Sequence, residues 1–573
     1  MAHVGTYLTY SELTGKDPLA ESDIVARLKL MSAADCLLAL AGLSTRLFAG
    51  GSRGDAGNVQ HELVDHVAGD GPLGKTLHEK LTDTRWSAVF CEQQLVHLAR
   101  LVIVHADRRP PDEFDERKLY AEWVTCLIAI TDHLDAGLRI EDHDERLAWG
   151  IRQAALNHHA EQLPATAIHH ELYSVLWPKM LPEGASAVEQ AFASMTGMSI
   201  GDYFMVGTAV LARLVNFGHT GEGAPMLQPD VYFSSTKIDP SIPKAFFDFT
   251  ARDVDALRDE LQAESQQYGA TTYGSLTFER FPLVEPQPGF FLPTSVASLQ
   301  RRITEGVFHV LADAAVREER DRRHYTSAFG NVFQELVEQT VRRGESALPS
   351  PAPITADLPY GKSRKRPRRS SDVIVATERN PVFIEVVSGP LQAATTTRGQ
   401  IDTFRADLQR LVIGKAKQLD RCINDFLAGD LTFAGAEPAT TYRVWPVIVT
   451  SHSFPHAETI MDAVRDGLRD EGYLRQDKAG DLAIVSAEDL FFCEGHMQQG
   501  RTLLSLIRSW KSGPRADLPF KNELIAIGGG RAPGSAYFEQ RFAEANANRM
   551  NKLLGKDVTP EQVLEHGRTG NET

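Results

Sequence analysis

Apolar positions recur with a helical period through the first 235 residues. Ile24, Leu28 and Met31 open the pattern, which continues to Phe48. The stretch Gly50–Gly57 (GGSRGDAG) predicts a loop. Val89–Val104, Leu119–Leu134 and Phe204–Val215 predict further helices, the first two parted by Arg108-Arg109-Pro110-Pro111. Between 236 and 325 the texture is mixed. Asp253–Leu261 reads as an amphipathic helix. The run TTYGSLTFERFPLVEPQPGFFLPT predicts short strands or loops, and Leu299–Val310 returns to helix.

From Ser327 the pattern turns to alternating helix and strand. Phe329, Phe333, Leu336 and Val341 lie on one helical face, with Glu335 and Glu338 beside them. A Pro/Ser-rich loop over 344–371 ends in GKSRKRPRRSS. The next stretch, SDVIVATERNPVFIEVVS (Ser371–Ser388), predicts a two-strand hairpin. Val373–Ala376 is one apolar run. Glu378–Pro381 supplies turn chemistry, and Val382–Val387 is a β-branched run broken only by Glu385. A long helix follows over Gln400–Phe426, with the stripe Phe404, Leu408, Leu411, Lys415, Leu419, Cys422 and Phe426; Lys415 is its one charge. Tyr442–Thr450 predicts a strand, His456–Leu468 a helix and Asp481–Ser486 a final strand. Ser486 opens another helix in a capping pattern. The expected fold is multidomain: a mostly α-helical N-terminal region (1–235), a middle α+β segment (236–325), an α/β domain with a mixed central sheet (326–515), and a C-terminal tail with a helix (516–573).

A chain of 573 residues is too long for one core, so more than one domain is expected in any case. A net charge of −16 argues against indiscriminate nucleic-acid binding but allows a local basic patch. Five scattered cysteines without a CxxC indicate neither a disulfide framework nor a zinc knuckle, and a reducing cytoplasm fits. The N-terminus lacks a basic segment followed by an apolar one, so no signal peptide is expected. No uninterrupted apolar run approaches the roughly 20 residues that span a bilayer.

The candidate chemistry starts at Glu385. A carboxylate inside an apolar strand needs a partner, because an unpaired buried charge is costly. The hairpin brings Asp372 and Glu385 to the same end, and paired carboxylates suit a hard cation such as Mg²⁺. The competing reading places Glu385 towards solvent on an edge strand. Histidines offer less. His61 and His66 resemble a zincin helix but are five apart, which turns them off a common face. His158-His159 and His169-His170 are adjacent pairs that diverge on a helix. The N-terminal half carries no GxSxG, P-loop or GxGxxG, and Gly528-Gly529-Gly530 reads as a flexible loop.

The order helix, hairpin with two acids, helix, strand, helix, strand resembles the PD-(D/E)XK, or restriction-endonuclease-like, nuclease superfamily over residues 325–515. Phe329–Glu335 looks like its first-helix motif, Asp372 matches the Asp and Glu385 the Glu. Phe281-Pro282-Leu283 and Arg302–Phe308 are weakly similar to the lead-in of some multidomain relatives. Two positions depart. Val387 stands where the superfamily has Lys, and Gln334 stands where many relatives have Glu, with Glu335 next door. The resemblance implies metal-assisted phosphodiester hydrolysis with Asp372, Glu385 and the Val386 carbonyl holding Mg²⁺ or Mn²⁺. Some members place the lysine on the following helix, and Lys415, with Gln418 one turn on, is the candidate here. Asp372, Glu385, Lys415, Gln418 and Glu335 form the implied catalytic set. The competing reading of Lys415 is a stem packed on the sheet with its charge snorkelling out. The basic run Lys362, Arg364, Lys365, Arg366, Arg368 and Arg369 precedes Asp372 and is expected to contact nucleic acid, DNA in the first instance; a solvated loop is the bland alternative. By analogy this suits bacterial defence, with protein partners on the helical region. Val387 favours the alternative, a catalytically silent binding module or a scaffold subunit of a larger complex.

Overall fold

The computed structural model describes residues 8–569 apart from 53–55, 70, 84–87, 108–115, 135–141, 158–161, 269–275, 316–318, 362–366 and 378. The chain gathers into two compact units. One comprises His3–Glu145, Glu189–Leu311 and Ala543–Thr573; the other comprises Met1–Ala2, Arg146–Val188 and Ala312–Phe542. The stretch expected as one N-terminal helical region therefore contributes to both.

The first unit is a helical assembly. Leu37, Leu40, Leu63, Leu98, Val102 and Leu127 meet in one core, drawn from the helices Ala33–Ser52, Ala56–Ala68, Glu92–His105 and Glu116–Ala129. Ile200–Thr220 crosses Ala33–Ser52 closely at Gly218, where a Cβ would lie 2.5 Å from the Thr45 carbonyl oxygen. The loop expected over Gly50–Gly57 is mostly helix: Ala33–Ser52 and Ala56–Ala68 leave only 53–55 between them, a segment outside the described residues. Tertiary packing of Leu43, Val59 and Leu63 outweighs the glycines' propensity. The middle segment's strands form a small sheet of β1 (Ala251–Asp253), β2 (Leu283–Gln287) and β3 (Phe290–Pro293). The window Ala33–Gly50 is long and apolar enough by composition to cross a membrane, and 61% of it is buried within the protein; the bent pair Ala187–Thr196 and Ile200–Thr220 passes the same test together.

The second unit carries a five-stranded mixed sheet. Its strands are β4 (Ile354–Ala356), β7 (Val373–Val375), β8 (Val382–Val387), β9 (Trp445–Thr450) and β10 (Ala483–Ser486), in the order β10-β9-β8-β7-β4. β8, β9 and β10 run parallel, while β7 pairs antiparallel with both β8 and β4. β8 is thus central and buried along its whole length, which is why it reads as an apolar run interrupted only by Glu385. The segment expected as a Pro/Ser-rich loop contributes β4 and a two-stranded ladder, β5 (Pro359–Tyr360) with β6 (Arg368–Arg369).

Side chains alternate across β8. Phe383 and Val387 join Phe404, Leu419, Ile423 and Phe426 in one core cluster, so the helices that follow the hairpin cover that face. The helix Glu319–Ser346 also packs on β8, and a Cβ on Gly330 would meet Ser388 Oγ at 3.2 Å. Ser486 ends β10 and caps Ala487–Gln498, accepting from the Asp489 N–H while Asp489 accepts from the Ser486 N–H. Ser486→Ala should lower stability by about 1 kcal/mol. A thermal melt checks it, and an unchanged midpoint would show that the cap contributes nothing.

Candidate active site

The hairpin sets the geometry. Its register pairs Val373 with Ile384 and Ile374 with Phe383. Continued by one pair, it puts Asp372 across from Glu385. Glu385 lies between Phe383 and Val387 in the strand, so it shares their face, the one covered by the following helices. The reading of Glu385 as a solvent-facing edge carboxylate is overturned: it is in the central strand and its side chain is 4% exposed.

Lys415 reaches the acids from that covering helix. The helix is not one regular element. It comprises Ile401–Leu408, a π-turn over Gln409–Ile413 and Gly414–Leu427. A π-turn holds one residue more than an α-turn, so the buried stripe shifts across it. Before the turn it runs through Phe404 and Leu408; after it, through Ala416, Leu419, Ile423 and Phe426. Lys415 is therefore on the margin of the stripe rather than at its centre, with its side chain 25% exposed. Its Nζ donates to Glu385 Oε2 at 3.0 Å and lies 3.8 Å from Asp372 Oδ2.

Each carboxylate keeps an open oxygen. Asp372 Oδ2 accepts from the Val386 backbone N–H at 2.7 Å, which fixes the carboxyl plane. Asp372 Oδ1 and Glu385 Oε1 accept no hydrogen bond among the described residues. Burial, with Asp372 beside it, pushes the Glu385 carboxyl up to about 7, and Lys415 and Arg421 oppose that rise. Glu385 is thus held in a setting where positive charge is wanted.

The other expected residues are placed differently. Glu335 accepts from Gln339 one turn along its own helix at 2.6 Å and does not join the trio. Gln418 is exposed on the Lys415 helix, and among the described residues it makes no hydrogen bond to either acid. Gln334 is half-buried on the same helix as Glu335. Of the basic run, Lys362, Arg364, Lys365 and Arg366 lie outside the described residues. Arg368 Nη1 donates to both carboxylate oxygens of Asp425 at 2.9 Å, and Arg369 pairs with Asp357. Tyr360 Oη donates to Asp425 Oδ2 at 2.6 Å, so the base of the basic loop is tied to the Lys415 helix. The histidine pair His158-His159 lies outside the described residues, while His169 Nδ1 bonds the Ala165 carbonyl within its own helix.

Arg421 is the site residue that sequence reading passes over. Its charge acts on Glu385, and its Nη2 donates to the Arg369 carbonyl at 3.3 Å. Lys415, Gln418, Arg421 and Asp425 follow one another at three- and four-residue steps along one edge of the helix. That periodicity was present in the sequence, but only the fold shows that the edge borders the hairpin.

Comparison with protein-family models, with curated proteins and with solved structures finds no match to this chain.

Proposed function

We propose that the sheet-bearing unit is a metal-dependent phosphodiesterase of the restriction-endonuclease-like kind, acting on nucleic acid and on DNA in the first instance. The observation that carries this reading is the convergence of Asp372, Glu385 and Lys415 beside the central strand. The donor set fits a hard cation: two carboxylates with one open oxygen each, to which the Val386 carbonyl would add a third oxygen. Bound there, Mg²⁺ or Mn²⁺ would supply Lewis acidity and a hydroxide nucleophile. Asp372 and Glu385 would hold it. Lys415 would then turn from the carboxylates towards a phosphoryl oxygen, keeping its charge where negative charge develops. A lysine at position 387 would share the Glu385 face, two residues along the strand. Lys415 brings the ammonium to that same face from the helix above it. This answers the departure at Val387, which packs in the core instead.

The test is a nuclease assay on DNA and RNA with Mg²⁺ or Mn²⁺, comparing the wild type with Asp372→Asn. Metal-dependent cleavage abolished in the variant supports the reading. Equal cleavage by both proteins rejects the site.

One observation favours a second reading, a nuclease-like module that binds without cutting. Among the described residues no group of three His, Cys, Asp or Glu side chains converges on one point, so the site relies on two carboxylates. Binding of nucleic acid with no cleavage under any divalent cation would select this alternative.

The basic run provides a separate expectation. Replacing Lys362, Arg364, Lys365 and Arg366 by Gln should weaken nucleic-acid binding. It should also flatten the dependence of affinity on salt, by about 0.7–0.9 in log–log slope for each phosphate no longer neutralised. A titration at several salt concentrations measures this; superimposable slopes would assign the run to a solvated loop. A cytoplasmic setting accords with the free state of Cys36, Cys91, Cys126, Cys422 and Cys493, all buried.

A further inference from the structure

The helical unit holds a histidine pair that sequence spacing does not reveal. His61 is on Ala56–Ala68 and His78 on the next helix, Pro72–Thr82. Their Nδ1 atoms face each other at 2.6 Å, and the rings are nearly parallel, 7° apart with centroids at 4.9 Å. His78 Nε2 bonds Asp65 Oδ1 at 2.8 Å. Asp65 lies one turn beyond His61, so it reaches His78 from the same helix that presents His61.

Asp65 decides the protonation pattern. A carboxylate accepts, so His78 carries its proton on Nε2 and, when neutral, offers the Nδ1 lone pair inwards. His61 then closes the pair by donating from Nδ1. With its proton moved to Nε2 instead, His61 offers a second inward lone pair. Two imidazole lone pairs aimed at one point, one of them backed by a carboxylate on the ring's far nitrogen, is the arrangement used to ligate metal ions. His61 and His66, whose five-residue spacing turns them off a common face, do not pair; the partner of His61 comes from the neighbouring helix.

We propose that His61 and His78 form a two-histidine site for a divalent transition-metal ion, with Asp65 as the positioning residue on His78. Imidazole donors select ions of the Zn²⁺, Cu²⁺ and Ni²⁺ type over Mg²⁺ and Ca²⁺. Water completes the coordination, since no third protein donor converges among the described residues. Metal–nitrogen bonds of about 2.0–2.1 Å at a tetrahedral angle need the two nitrogens roughly 3.3 Å apart. To reach that separation the two half-buried side chains must rotate apart from their present 2.6 Å contact. The ion would staple the two helices, and it is independent of the nuclease reading, being in the other unit.

The experiment is a calorimetric titration of the full chain, stripped with chelator, using Zn²⁺ alone, repeated in excess Mg²⁺. Cu²⁺ electron paramagnetic resonance then reports nitrogen ligation. The tightest Zn²⁺ event should persist in Mg²⁺ and weaken at least tenfold in His61→Ala and in His78→Ala. In Asp65→Asn it should weaken about 10-fold, the lower end of the effect of removing such an outer partner. Isotherms unchanged in both alanine variants would overturn the site and leave the pair as a hydrogen-bonded contact. If either alanine variant is unfolded by circular dichroism, Asp65→Asn decides, because it leaves both ring nitrogens in place: unchanged affinity there overturns the proposal.

Discussion

If the proposed cleavage activity holds, Lys415→Met is expected to lower it by about 10²-fold or more while leaving the fold nearly intact. Methionine keeps the bulk of the lysine stem beside Ala416 and Leu419 and removes only the ammonium. Among the described residues that ammonium is the cation paired with both acids, at 3.0 and 3.8 Å. In a partly dehydrated site, one preorganised charge is worth about this much in rate. Stopped-time cleavage assays at saturating Mn²⁺, with a thermal melt of each protein, separate the two effects. Equal rates would reduce Lys415 to a counter-ion for the acids. A large loss of stability alongside the loss of rate would assign the ammonium to structure.

Glu385→Gln is expected to stabilise the metal-free protein at neutral and alkaline pH. The Glu385 carboxyl is held up near 7, first by burial and next by Asp372. The folded state therefore binds this proton more tightly than the unfolded chain, whose carboxyl titrates near 4.5. Stability contributed by the protonated form is fully present below about 4.5 and declines as pH rises to about 7. Above that the penalty is constant, at about 3 kcal/mol from the size of the shift. Glutamine mimics the protonated form at every pH and escapes the decline. Melting the two proteins from pH 4.5 to 8 without divalent metal should give curves that converge at the acid end and diverge towards neutrality. Parallel curves would mean that Lys415 fully compensates the buried carboxylate. Saturating Mg²⁺ should narrow the gap, because a bound cation favours the ionised acid.

The hairpin was legible because its two apolar runs are separated by a turn segment ending in Pro381, and both are β-branched enough to exclude helix. Once the turn is placed, the pairing of Asp372 with Glu385 follows from counting. The parallel strands Trp445–Thr450 and Ala483–Ser486 were equally plain, each being short, apolar and followed by a helix. The π-turn was not. Phe404, Leu408, Leu411, Lys415 and Leu419 fit an ordinary helical period, and nothing in composition marks the extra residue. Strands β4, β5 and β6 have three, two and two residues, too few to show alternation, and long-range pairing forms them. Glu335 fits a helix motif by resemblance, yet it bonds along its own helix rather than into the site. His61 and His78 are seventeen apart on separate helices, a relation that only the fold expresses.

The π-turn at Gln409–Ile413 also makes the chain length at this point adjustable. A surplus residue inside one turn leaves the helices on either side in the phase they would have without it. Deleting Gln409, which is exposed, would shorten the chain by one and regularise the helix, and Lys415 would still meet Glu385. Deleting Lys417, also exposed, would turn Leu419, Ile423 and Phe426 by about 100° out of the core. Two single-residue deletions on the same helical stretch should therefore differ as a tolerated indel differs from an unfolded protein.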